Sequence, residues 1–127
     1  MLNIKKMLLL FLLILFSCAS SDVIMLDSSK KYPPTNSVLI IFDKPDKPYE
    51  EIAIIEGNGS IFNNYTQVLK AIQKKAAKIG ADAIIPATQQ SIYKPPSIVK
   101  NFDGTPLTIP GGNEITIKAV AIRFKQE

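Results

Sequence analysis

Residues 64–85 constrain the fold more than any other stretch, because they join one helix period to one strand through a single glycine. Tyr65, Leu69, Ile72, Ala76 and Ile79 recur at steps of four and three and form one apolar stripe. Asn63 or Asn64 supplies a good N-cap. Gly80 stands where a left-handed residue ends a helix, with Lys78 beside the negative helix end. Lys70, Lys74 and Lys78 line a second face, read as solvated, with an acidic partner or lipid headgroups as the alternative. Residues 82–88 follow at once as a strand, and Pro86 places that strand at an edge or ends it early.

A helix with one apolar stripe needs a sheet to cover, and the flanking sequence supplies one. Residues 38–42 are a continuous apolar run of strand length, rich in β-branched residues, and read as a buried strand. Residues 49–56 read as a second strand, ended by the turn Gly57-Asn58-Gly59, and residues 114–125 as a long last one. In that last strand Ile115 and Ile117 point one way and Val120, Ile122 and Phe124 the other. Either both faces are covered or a bulge lies near Lys118 and Ala119. The order is β-β-α-β-β, an α+β domain with one helix packed on a small mixed or antiparallel sheet.

The N-terminus speaks about location. Lys5 and Lys6 precede the apolar run 7–16, which ends in Ser17 and Cys18, the only cysteine of the chain. Ten helical residues rise only ~15 Å, against a hydrocarbon core of ~30 Å. The segment is similar to a bacterial lipoprotein signal peptide ending in a lipobox. Leu15 and Ser17 fit that pattern, and Phe16 is larger than its usual residue. An ordinary cleaved signal and an uncleaved anchor are the alternatives. The resemblance implies removal of residues 1–17 and lipidation of Cys18, so that the protein meets the membrane through that lipid. Ala19, in place of Asp, implies sorting to the outer membrane, facing the periplasm. Residues 18–36, rich in Ser, Lys and Pro, read as a flexible tether. Its apolar island 23–26 either packs on the domain or lies at the membrane surface. Residues 37–127 form the single domain.

Composition narrows the chemistry. Without Lys5 and Lys6 the fifteen basic residues become thirteen against eleven acidic, so the net charge of +4 falls to +2. The remaining basic residues are scattered and not interleaved with aromatics, which argues against nucleic acid as a partner. The chain contains no histidine. That removes His-based acid–base catalysis, the Ser-His-Asp arrangement and zinc sites built on His or Cys. No catalytic residue, metal or cofactor is assigned, and an enzyme is the less favoured class. Three weaker constellations remain. Gly57-x-Gly59 has Phe62 where a dinucleotide loop wants a third glycine. Glu50, Glu51 and Glu56 are an acidic group near a turn, with Glu50 and Glu51 on opposite faces of a strand. Asp43, Asp46 and Asp103 do not have calcium-loop spacing.

Residues 91–113 form a long Pro- and Gly-rich excursion with a short hairpin around Asp103 and Gly104. It carries Tyr93, Ile98, Phe102 and Leu107, candidate contacts for an envelope protein or cell-wall partner. Alternatively, its apolar residues fold back onto the sheet.

Three local features carry a family resemblance: residues 49–52 (Tyr-Glu-Glu-Ile) entering a strand, residues 76–85 (Ala-Ala-Lys-Ile-Gly-Ala-Asp-Ala-Ile-Ile), and residues 119–124 in the terminal strand. Together they resemble small bacterial envelope lipoproteins of unknown function. The helix–Ile-Gly-Ala-Asp-Ala–strand step is distantly similar to that of the outer-membrane stress-sensor lipoprotein of the Rcs phosphorelay. That sensor is held by disulfides, which this chain cannot form within itself, so no signalling role is carried over. The resemblance implies a lipid-anchored, non-enzymatic module of surveillance or assembly. The alternative is a small-ligand or enzymatic domain using the Gly57–Gly59 turn or surface carboxylates.

Overall fold

The computed structural model describes residues 3–8 and 19–126. Cys18, the expected lipidation site, lies outside the described residues, as does most of the apolar run. No described helix is long and apolar enough to cross a membrane. The domain is mixed α+β, with one main helix, α1 (Tyr65–Lys78), on a five-stranded mixed sheet. The strands are β1 (Ser20–Met25), β2 (Leu39–Ile40), β3 (Tyr49–Gly59), β4 (Ala83–Lys94) and β7 (Gly112–Phe124), in the spatial order β1-β3-β7-β4-β2. All pairings are antiparallel except β2 with β4. Two further strands, β5 (Ser97–Lys100) and β6 (Pro106–Ile109), pair with each other.

Local chemistry sets the helix. Asn64 accepts from the Gln67 amide at 2.9 Å while the Gln67 side chain accepts from the Asn64 amide at 2.9 Å, a reciprocal capping box. The helix ends at Gly80, whose φ of 84° few other residues adopt. Val68, Leu69, Ile72 and Ala76 are buried against the sheet. Facing them are Ala53 and Ile55 of β3 and Ile117, Ala119 and Ala121 of β7, all buried.

Several expectations differ from the structure. The buried strand expected over residues 38–42 is only Leu39–Ile40, at the sheet edge and with Leu39 and Phe42 exposed, because β4 alone pairs with it. Gly57 and Gly59 make no turn: β3 runs through both, and both are buried. A Cβ on Gly57 would stand 2.7 Å from Ile72 Cγ1 and 2.9 Å from Val68 Cγ1, and one on Gly59 2.7 Å from Val68 Cγ2. The glycines let the helix approach the strand, which leaves no open loop for a phosphate. Residues 18–36 are not a free tether over their described part. Ser20–Met25 form the edge strand β1, with Val23 and Met25 packed toward the core. Residues 26–37 then cross beneath the helix C-terminus to β2 at the other edge. There Thr35 donates its amide to Ala77 O (2.9 Å) and its hydroxyl to Ala81 O (2.6 Å).

The strand expected over 82–88 continues to Lys94. Pro86 is tolerated because β2 pairs only as far as Ile84 and the register with β7 shifts between Pro86 and Thr88. The bulge expected near Lys118 and Ala119 lies opposite them, in β4 between Pro86 and Thr88, and a second register shift falls in β3 at Glu51/Ala53. The two-sided pattern of β7 arises because Ile115 and Ile117 pack toward the helix while Ile122 is buried on the other face.

Candidate functional site

The feature that departs most from a closed fold is the ribbon leaving the sheet. β4 and β7 stay paired to Lys94↔Gly112, beyond the last residue that β3 contributes. Pro95 and Pro96 then face Pro110 and Gly111, and pairing resumes at Ser97↔Ile109 in the same register. The four strands thus form one long hairpin interrupted once. Prolines cannot donate to a ladder, and a Cβ on Gly111 would lie 2.6 Å from Pro96 Cδ.

The tip is closed by side chains. Asn101 N donates to Thr105 O (2.9 Å), and Gly104 takes a φ of 84° in open space. Asp103 Oδ1 accepts from the Thr105 amide (3.0 Å) and hydroxyl (2.6 Å). These bonds hold the Asp103 carboxyl below the usual carboxylate range, the hydroxyl of Thr105 contributing most.

Every residue from Ala87 to Gly111 is exposed. The structure places all four proposed contact residues here: Tyr93 on β4 (64% exposed), Ile98 on β5 (72%), Leu107 on β6 (47%) and Phe102, fully exposed, at the tip. Ile92, Val99 and Ile109 accompany them. The alternative, that these side chains fold back onto the sheet, is overturned. A two-stranded ribbon is at best marginal in water without something to cover it, and here Val99, Leu107 and Ile109 lie on one of its faces and Ile98 on the other.

The second open surface is the sheet face away from α1. Ile54, Ile85 and Val120 are half-buried there, Ile24 and Leu39 exposed. Two exposed ion pairs lie at its arm end, Lys118–Glu56 at 3.8 Å and Lys94–Glu114 at 4.0 Å.

The titratable groups are dispersed. By their pairing, Glu50 opposite Arg123 lies on the helix side and Glu51 opposite Ile122 on the other. Glu50 accepts from Lys30 Nζ at 2.8 Å, and that hydrogen bond holds its carboxyl below the usual range. Asp27 is lowered likewise by Ser29. Lys30 and Asp27 belong to the crossing segment, as does Tyr32, on which Arg123 stacks at 4.3 Å while donating to Gly80 O at 2.7 Å. Among the described residues no polar or charged side chain is buried, and no group of three His, Cys, Asp or Glu could hold a metal. Sequence reasoning missed β1; the signal that could have found it is the unbroken apolar run of residues 23–26, of which Val23 and Met25 are half-buried and Ile24 exposed.

No protein-family model, curated protein or solved structure matches the chain.

Proposed function

We propose that this protein is a lipid-anchored module of the bacterial envelope that works by contact rather than by catalysis, in surveillance or assembly. Cys18 carries the lipid, and the protein faces the periplasm from the outer membrane. Strands β2, β3, β4 and β7 with α1 are read as a β-β-α-β-β core, to which β1 and the hairpin arm are additions. The observation that carries the reading is the arm: from Ala87 to Gly111 it holds its apolar side chains in solvent, at a stability cost that a contact offsets. The apolar core, the dispersed carboxylates and the burial of Gly57 and Gly59 beneath the helix support contact over small-ligand chemistry. The open sheet face is the second surface offered to an envelope protein or cell-wall partner. The resemblance of residues 76–85 to small envelope lipoproteins supports the compartment.

The test is photo-crosslinking in the native envelope from Ile98 on the arm, compared with Lys74, exposed on the helix. Discrete adducts from Ile98, to protein or to lipid, and none from Lys74 are expected. Equal background at both positions would remove the arm from the account.

A further inference from the structure

The strand ladder fixes where the arm points relative to the start of the domain. Ser20 pairs with Asn58, Asn58 with Thr116, and Thr116 with Gln90, so these four residues form one row across the sheet. From that row β1 runs toward Met25 at one end. The arm leaves in the opposite direction, through Lys94 to Lys100. The chain preceding Ser20 therefore emerges at the arm's end of the domain.

Cys18 lies two positions before Ser20, with only Ala19 between them, a reach of at most ~7 Å. With the arm pointed away from a membrane, Ser20 would sit above the six residues of β1, about 20 Å of strand. That distance exceeds the reach. The arm, by contrast, runs ten residues past the row, from Gln90 to Lys100, about 33 Å if straight. Standing upright it would drive Lys100, the tip and open strand edges deep into a hydrocarbon core of ~30 Å, where unpaired backbone is not tolerated. The remaining pose lays the arm along the surface. Its composition suits that place. Between Ala87 and Gly111 the charged residues are Lys94, Lys100 and Asp103, and Asp103 is engaged by Thr105. Apolar and aromatic side chains flanked by lysines fit the boundary between acyl chains and phosphate headgroups.

We infer that the arm docks on the same bilayer that holds the N-terminal anchor, with Phe102 at the acyl boundary and Lys94 and Lys100 at the lipid phosphates. This rests on the anchored-module reading and names the occupant of the arm. The domain is then held at two points, the lipid on Cys18 and the arm.

The chain has no tryptophan, so Phe102→Trp gives a single reporter at a fully exposed position. The full-length anchored protein is reconstituted in vesicles of phosphatidylethanolamine and phosphatidylglycerol, with and without brominated acyl chains. Phe42→Trp, at an exposed position just after β2, is the comparison. The expected result is blue-shifted emission from position 102, quenched by the brominated lipid, with position 42 unquenched. Unquenched emission from position 102, in protein that stays with the vesicles, overturns the docking and leaves the anchored module standing. Protein that does not stay with the vesicles overturns both. Adducts from Ile98 confined to protein, in the native envelope, would assign the arm to a protein partner instead and likewise overturn it.

Discussion

Replacing Gly57 by alanine tests how the helix is seated on the sheet. The added methyl would lie 2.7 Å from Ile72 Cγ1, 2.8 Å from Ile72 Cδ1 and 2.9 Å from Val68 Cγ1. Ile72 and Val68 are both fully buried, so neither can swing into solvent. Overpacking of this kind costs about 1–3 kcal/mol. Removing a glycine from a strand returns about 0.5–1 kcal/mol. The net expectation is a loss of about 1–2 kcal/mol, or a fall in Tm of roughly 5–10 °C for a domain of this size. Urea denaturation followed by far-UV circular dichroism should show a lower midpoint with an unchanged slope. The clash also predicts a coupling. Ile72→Val alone costs about 0.5–1.5 kcal/mol, yet it removes the Cδ1 methyl that the new alanine meets. The double variant should therefore be more stable than the sum of the singles by at least about 0.5 kcal/mol. A neutral or stabilising Gly57→Ala, or strict additivity with Ile72→Val, would refute the seating. It would also reopen the glycine pair as a loop.

Gly80→Ala should cost more, about 2–4 kcal/mol, because left-handed strain adds to a Cβ only 2.6 Å from Pro33 O. Gly104→Ala has the same φ in open space, so its strain stays at the arm tip and Tm should not move. The Lys30–Glu50 pair makes a pH-dependent tie between the crossing segment and β3. The Glu50 carboxyl is lowered, so its contribution is present above the ordinary glutamate value of 4.5 and is lost as pH falls through the lowered one. The Lys30 ammonium is raised, so its contribution is present below the ordinary lysine value and lost as pH rises through the raised one. An NMR titration should place the Glu50 midpoint below 4.5 and move it upward in Lys30→Met. Phe102→Ser and Ile98→Ser should leave stability within about 0.5 kcal/mol, read by thermal unfolding, because both side chains are exposed.

The helix was legible because its signals are local: a capping Asn64, a stripe of period 3.6 and Gly80. The strands at 38–42, 49–56, 82–88 and 114–125 correspond to β2, β3, β4 and β7, though with different limits. Those limits depend on partners. Gly57 and Gly59 look like turn residues alone and become strand residues only because Val68 and Ile72 fill the space a side chain would occupy. β1 is short and begins with two serines and an aspartate, and its strand state depends on the edge of β3 being free. The arm residues Tyr93, Ile98, Phe102 and Leu107 could be chosen from composition. Their exposure could not, since apolar residues between prolines suit a folded-back loop equally well. Only the continued register from Lys94↔Gly112 to Ser97↔Ile109 separates the two.

Anchoring through Cys18 is the claim from which the compartment and the direction of the arm both follow. Metabolic labelling with a palmitate analogue, comparing the wild-type chain with Cys18→Ser in the same envelope, tests it most directly. Label on the wild type, lost in the variant together with processing of the precursor, is the predicted result. Label retained by Cys18→Ser, or absent from both chains, would contradict the account.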